Sequence, residues 1–171
     1  MCKWTKSSLD NGPRLDKYKP RWIRICEKLD QGDKDGAAAD TRKELEAFLF
    51  EAVISLQTPI PIRREGKYTV GDLHPPIVSR FKRLVPDVYN EQERIFQNLL
   101  TNVIFGNLLI HNNPRAEGAS IEEVRGFSEA VREFENLFIC SQCGGLVVYY
   151  NDAKVIKCRC RKDGKIWTTK E

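Results

Sequence analysis

Apolar positions over the first 137 residues recur at the spacing of helix faces. Trp22, Ile25, Cys26 and Leu29 predict a helix from about Pro20 to Leu29, followed by a polar turn over Gln31–Gly36. A long amphipathic helix is predicted from Gly36 to Leu56, with Ala38, Thr41, Leu45, Phe48, Leu49, Ala52 and Leu56 on its apolar stripe. Pro59-Ile60-Pro61 ends it. The segment Lys67–Leu84 starts extended and becomes helical, capped by Thr69 or Asp72. Pro75-Pro76 is expected in a first helical turn, with His74 a surface or turn residue. Asn90 and Glu93 form a cap-like pair before a helix running to His111, where Asn112-Asn113-Pro114 is a stop. Ser120 and Glu123 make a capping box for a last helix bearing Ile121, Val124, Phe127, Val131 and Phe134.

Beyond residue 137 the period changes. Leu146–Tyr150, Lys154–Lys157 and Ile166–Thr169 read as short strands, turning at Asn151-Asp152 and Asp163-Gly164. Cys140 and Cys143 precede the first strand, and Cys158 and Cys160 follow the second. Two close cysteine pairs on tight turns supply the four thiolates of a tetrahedral zinc site, so Cys140, Cys143, Cys158 and Cys160 are the candidate ligands of a structural Zn2+. The alternative is a pair of disulfides; the absence of an export signal favours zinc. A ribbon of this length buries little core by itself, and the metal is expected to supply folding free energy. The predicted fold is mainly α: an irregular segment over 1–19, a bundle of five helices over 20–137, and a small β-rich zinc ribbon over 138–171.

Charge separates the same regions. The chain carries 28 Lys and Arg against 24 Asp and Glu, a net +4, and all of that excess lies in the last 34 residues. Four thiolates around one Zn2+ lower it to about +2. Any nucleic-acid contact is therefore expected at the ribbon's rim, Lys157, Arg159, Arg161 and Lys162, or at a cleft by Arg42. No apolar run is long enough to span a bilayer, and Met1-Cys2-Lys3-Trp4 opens without an apolar signal core, so a cytoplasmic protein without membrane contact is expected.

Two pairs of polar residues fall on or beside apolar faces. Asn107 and His111 are one turn apart, within about 60° of Phe96 on the helix that ends at His111. Arg42 and Glu46 are one turn apart at the edge of the long helix's stripe. Spacing alone allows a bland reading, with Arg42–Glu46 an ordinary ion pair and His111 at a helix C-terminus. If the two helices pack together, the four residues converge. His111 and Glu46 would then exchange protons with a ribose hydroxyl and a leaving oxygen while Arg42 holds the phosphate, as metal-independent RNA cleavage requires.

These residues carry a resemblance. Asp33–Ala52 resembles the second helix of HEPN-type helical domains, with its A-x-x-x-R-K-x-L-E pattern. Gly106–His111 is similar to the HEPN motif R-N-x-x-x-H, matching at Asn107 and His111, with Gly106 in the arginine position. Arg42, Glu46 and His111 suit the Arg, Glu and downstream His of anticodon nucleases fused to ABC-type ATPases. Asn107–Pro114 resembles a stretch in C-terminal helical domains of SMC/RecF-like ATPases of bacterial defence systems, and Lys3–Pro13 looks like the chain leaving such an ATPase head. The resemblance covers about residues 15–137 and implies a HEPN-like effector or RNA-sensing domain of a prokaryotic defence or toxin system. Its implied activity is metal-independent cleavage of RNA or tRNA by a homodimer, with Arg42, Glu46, Asn107 and His111 as catalytic residues. The alternative is a non-catalytic module that dimerises or docks on an ABC/SMC-type ATPase. The sequence contains no G-x4-G-K-S/T loop, so the chain hydrolyses no ATP by a P-loop mechanism.

Overall fold

The structure, a computed structural model, describes residues 20–63, 65–110, 119–160 and 164–170, with backbone alone over 104–110. Among these residues it is mainly helical, with a small antiparallel sheet at the C-terminal end.

Helix α1 (Arg21–Asp30) begins after Pro20 and buries Ile25 and Leu29. Gly32, at φ +75°, takes the left-handed conformation that ends it. Asp33 then caps α2 (Lys34–Ser55), its side chain accepting from Gly36 N–H at 2.9 Å. A Cβ at residue 36 would overlap that carboxylate, so glycine makes room for the cap. Every residue of the expected α2 stripe is buried, including Leu56 just past the helix end. Thr41 is satisfied in the core by the Ser128 hydroxyl at 2.8 Å, and Ser128 also donates to Val124 O at 3.0 Å.

Helix α3 (Val70–Leu84) starts at Thr69, whose N–H and hydroxyl both donate to Asp72 at 2.9 and 2.8 Å. Pro75 and Pro76 therefore lie past the first turn, not in it. Their rings remove two helical N–H donors, and burial of Leu73, Ile77, Phe81 and Leu84 outweighs that loss. His74 is buried, contrary to its expected surface position, because the earlier start puts it on the same face as Val70, Ile77 and Phe81. Helix α4 (Pro86–Ile110) follows after Val85 alone and begins with proline in its first position. Asn90 is consequently inside α4 and exposed, and caps nothing. Ser120 and Glu123 form the expected capping box of α5 (Ile121–Phe138), at 3.2 and 2.7 Å.

Strands β1 (Val148–Tyr150), β2 (Val155–Lys157) and β3 (Ile166–Thr168) form an antiparallel sheet in that order, with Tyr149 opposite Ile156 and Ile156 opposite Trp167. This sheet has no separate core. Val147, Tyr149 and Ile156 join one buried cluster with Phe48, Phe81, Phe96, Phe134 and Phe138 from the helices. Trp167 meets Phe81 edge-on at 5.4 Å, and Lys170 N–H caps α3 by donating to Leu84 O at 2.9 Å. The ribbon thus obtains from the bundle the apolar burial that its own length denies it, and the metal is not its sole support.

Candidate metal centre

The first cysteine pair sits where α5 runs into the sheet. Val147 N–H bonds to Phe138 O at 2.9 Å, and an isolated bridge joins Ile139 to Leu146. Between them Cys140 N–H donates to Gly145 O at 2.9 Å, and Gly144 N–H returns to Cys140 O at 2.8 Å. Gly144, at φ +67°, makes this turn accessible without strain. The second pair leaves β2 at Cys158, whose N–H donates to Lys165 O at 3.2 Å.

These turns bring the sulfurs of Cys140, Cys143, Cys158 and Cys160 within 4.8 Å of one another. All four are unbridged, so the disulfide alternative is not what the geometry contains. Cys140 Sγ lies 3.9 Å from Cys160 Sγ, and Cys158 Sγ lies 2.8 Å from Cys160 Sγ. Bonds of about 2.3 Å from a central zinc would give tetrahedron edges of about 3.8 Å, so the donor set fits a tetrahedral metal with a small opening of the second knuckle. Cys140 and Cys158 are buried, and Cys143 is exposed.

The surroundings favour thiolate. Backbone N–H groups of Lys165 and then Gln142 point at the Cys140 sulfur and hold its thiol down at about 6, against the opposing effect of burial. Gly164 closes over the cluster: a Cβ there would overlap Cys158 Sγ and stand 2.9 and 3.0 Å from the sulfurs of Cys160 and Cys140. Lys165 adds a cation beside this anionic centre while its Nζ donates to Leu137 O at 2.6 Å and Asn136 O at 2.9 Å, the free carbonyls at the end of α5. Burial pulls its ammonium below the usual lysine range, and the Cys140 charge opposes this. A closed set of four protein thiolates leaves no coordination position for substrate and supplies structure, not chemistry.

Of the other expected site residues, those described are Arg42, Glu46, Lys157 and Arg159. Arg42 Nε donates to Glu46 Oε1 at 3.0 Å, an i,i+4 pair on α2, half-buried at the edge of the stripe. Asn107 falls in α4 where only backbone is described, and His111 lies outside the described residues. Leu100, one turn past Phe96 on α4, is 45% exposed. Of the rim cations, the Lys157 ammonium lies 5.1 Å from the centre of the Tyr150 ring and Arg159 is exposed, while Arg161 and Lys162 lie outside the described residues.

One polar group escaped sequence reasoning. Glu135 on α5 is 2% exposed; one oxygen accepts from Trp22 Nε1–H at 2.7 Å, and the other is buried without a hydrogen-bond partner among the described residues. Burial raises its carboxyl to about 7; the Trp22 hydrogen bond opposes this. The signal was present, because Glu135 is one turn from Val131 and falls on the apolar face of its helix.

Comparison with protein-family models, curated proteins and solved structures finds no match to this chain.

Proposed function

We propose that this chain is a HEPN-like, non-catalytic interaction module of a cytoplasmic prokaryotic defence system, stapled by a structural zinc ion. Its helical bundle dimerises or docks on an ABC/SMC-type ATPase, and its ribbon keeps that surface in shape. The observation that carries this reading is the closed four-thiolate cluster built into the same core as the helices, an arrangement suited to holding a shape. The Arg42–Glu46 contact agrees with it, since each charge already has the other at 3.0 Å. In a second reading, Arg42 and Glu46 act with Asn107 and His111 as a metal-independent ribonuclease, with the ribbon's basic rim holding RNA.

A single preparation separates the two. The purified chain is expected to carry one zinc, to form a dimer by light scattering, and to leave RNA and tRNA intact without added divalent cation. RNA cleavage that disappears in a folded His111→Ala variant would overturn the module reading in favour of the ribonuclease.

A further inference from the structure

The two faces of the sheet differ. Tyr149, Ile156 and Trp167 face the cluster shared with the helices. Their neighbours alternate to the other side. There the register sets Val148, Lys157 and Ile166 in one row and Tyr150, Val155 and Thr168 in the next. Among the described residues, Val148, Tyr150, Val155 and Ile166 neither belong to a buried cluster nor pack against one, and Ile166 is 59% exposed.

These two rows carry a ring and a cation and no carboxylate. Lys157 stands diagonally across the β1–β2 ladder from Tyr150, its ammonium 5.1 Å from the centre of the ring. Lys154 and Arg159, both exposed, flank β2 at its two ends. Among the described residues of the ribbon, the carboxylate is that of Asp152 in the β1–β2 turn. Lys165 and Lys170 are turned to the bundle, on carbonyls of α5 and on Asp87.

We propose that this outer sheet face is a platform for single-stranded nucleic acid, with a base stacked on Tyr150 and the adjoining phosphates held by Lys157, Lys154 and Arg159. Every base offers a π-face, so an aromatic ring beside cations holds a single strand with little regard to sequence. The dimensions fit that occupant. Three short strands side by side make a face about 10 Å on a side, the scale of a base and its backbone. A stable protein partner needs about 800 Å² on each side of the interface, and this face falls far short of that. In a duplex the bases are stacked on one another and give the ring nothing to hold. The inference shares the basic rim with the ribonuclease reading but involves no cleavage and no residue of the bundle. A DNA probe lacks the 2′-hydroxyl that such cleavage requires, so the two fail separately.

The test uses the zinc-loaded chain and the fluorescence anisotropy of a short labelled oligodeoxyadenylate, with its oligodeoxythymidylate duplex and polyglutamate of equal charge as comparisons. The single strand is expected to bind saturably at low salt, more tightly than the duplex, and to resist displacement by polyglutamate. Tyr150→Ala is expected to weaken the single strand at least about fivefold while retaining zinc. Tyr150→Phe, which keeps the ring, is expected to bind as wild type. Lys157→Gln is expected to weaken binding and to lower the slope of log Kd against log salt by about 0.7, the share of one phosphate contact. No saturable binding, a duplex bound as tightly as the single strand, or unchanged affinity in Tyr150→Ala would overturn the proposal. So would displacement by polyglutamate, which would mark an acidic peptide as the partner. The comparison of the three polyanions uses the wild-type chain and stands whether or not a variant folds.

Discussion

The His74 imidazole packs against the Phe134 ring with centroids 5.7 Å apart, and its Nε2 is buried with no hydrogen-bond partner among the described residues. The next residue along α5 is Glu135, also buried and half unsatisfied. The bundle therefore buries two ionisable groups of opposite charge type close together, His74 on α3 against Phe134 and Glu135 on α5.

Their effects on stability run in opposite directions with pH. Burial lowers His74 to about 4 from the 6.5 of a free imidazole, so the unfolded chain takes up a proton that the folded chain refuses. Stability from this group is full above 6.5 and is lost as pH falls towards 4. Burial raises Glu135 from the 4.5 of a free carboxyl to about 7, so its contribution is full below 4.5 and is lost as pH rises through 7. Each effect is worth about 3 kcal/mol, and between pH 4.5 and 6.5 they nearly cancel. Glu135→Gln is expected to remove the cancellation, so its stability relative to wild type rises by about 3 kcal/mol from pH 4.5 to pH 7. His74→Gln is expected to change in the opposite sense. Urea unfolding of both variants beside wild type at each pH checks this, since loss of metal in acid is common to all three.

The placement of His74 also marks where sequence reading stopped. The α2 stripe, the Ser120–Glu123 box, the three strands and the cysteine spacing were legible because each is a local pattern with one physical solution. The two prolines misled: taken as a first turn, they put His74 outside the core, while the Thr69–Asp72 cap starts α3 earlier and turns His74 inward. Pro86 started α4 where Asn90 and Glu93 had the better-looking cap, since a proline at the first position needs no hydrogen-bond partner. The Glu135 site depends on Trp22, which is 113 residues away, and such a contact is set by packing, not by spacing.

Two glycines with opposite surroundings give a paired prediction for the metal centre. Gly164→Ala would drive a methyl group into Cys158 Sγ, and the knuckle must open to admit it. Zinc affinity is expected to fall by about 10–100-fold, the range seen when a group supporting a ligand is disturbed. Gly126 lies inside α5 with nothing within 4 Å of where its Cβ would stand. Gly126→Ala is expected to stabilise the protein by about 0.5–1 kcal/mol through helix propensity and to leave zinc untouched. Competition with a chromophoric chelator reads the first effect, and chemical unfolding reads the second.

Arg42 and Glu46 are expected to behave as a partly exposed helix pair. A double-mutant cycle through Arg42→Ala and Glu46→Ala should return a coupling of about 0.3–0.5 kcal/mol, reduced by salt. A coupling of several kcal/mol would instead indicate a pair isolated from solvent, as a closed catalytic pocket would make it.

The shared core predicts how the ribbon and bundle unfold. Ile156 is wholly buried in β2, between the sheet and the helical phenylalanines, and Trp167 lies edge-on to Phe81. If the ribbon were an independent unit held by metal alone, Ile156→Ala would loosen it and spare the helices. Because Ile156 belongs to the same cluster as Phe81 and Phe134, the substitution is expected to lower the stability of the whole chain by about 2–5 kcal/mol. Chelation of zinc should act on that same transition, moving helix melting in circular dichroism and tryptophan fluorescence together. Two separated transitions, with the helical one unmoved by either perturbation, would show that the contacts between sheet and bundle carry no cooperativity.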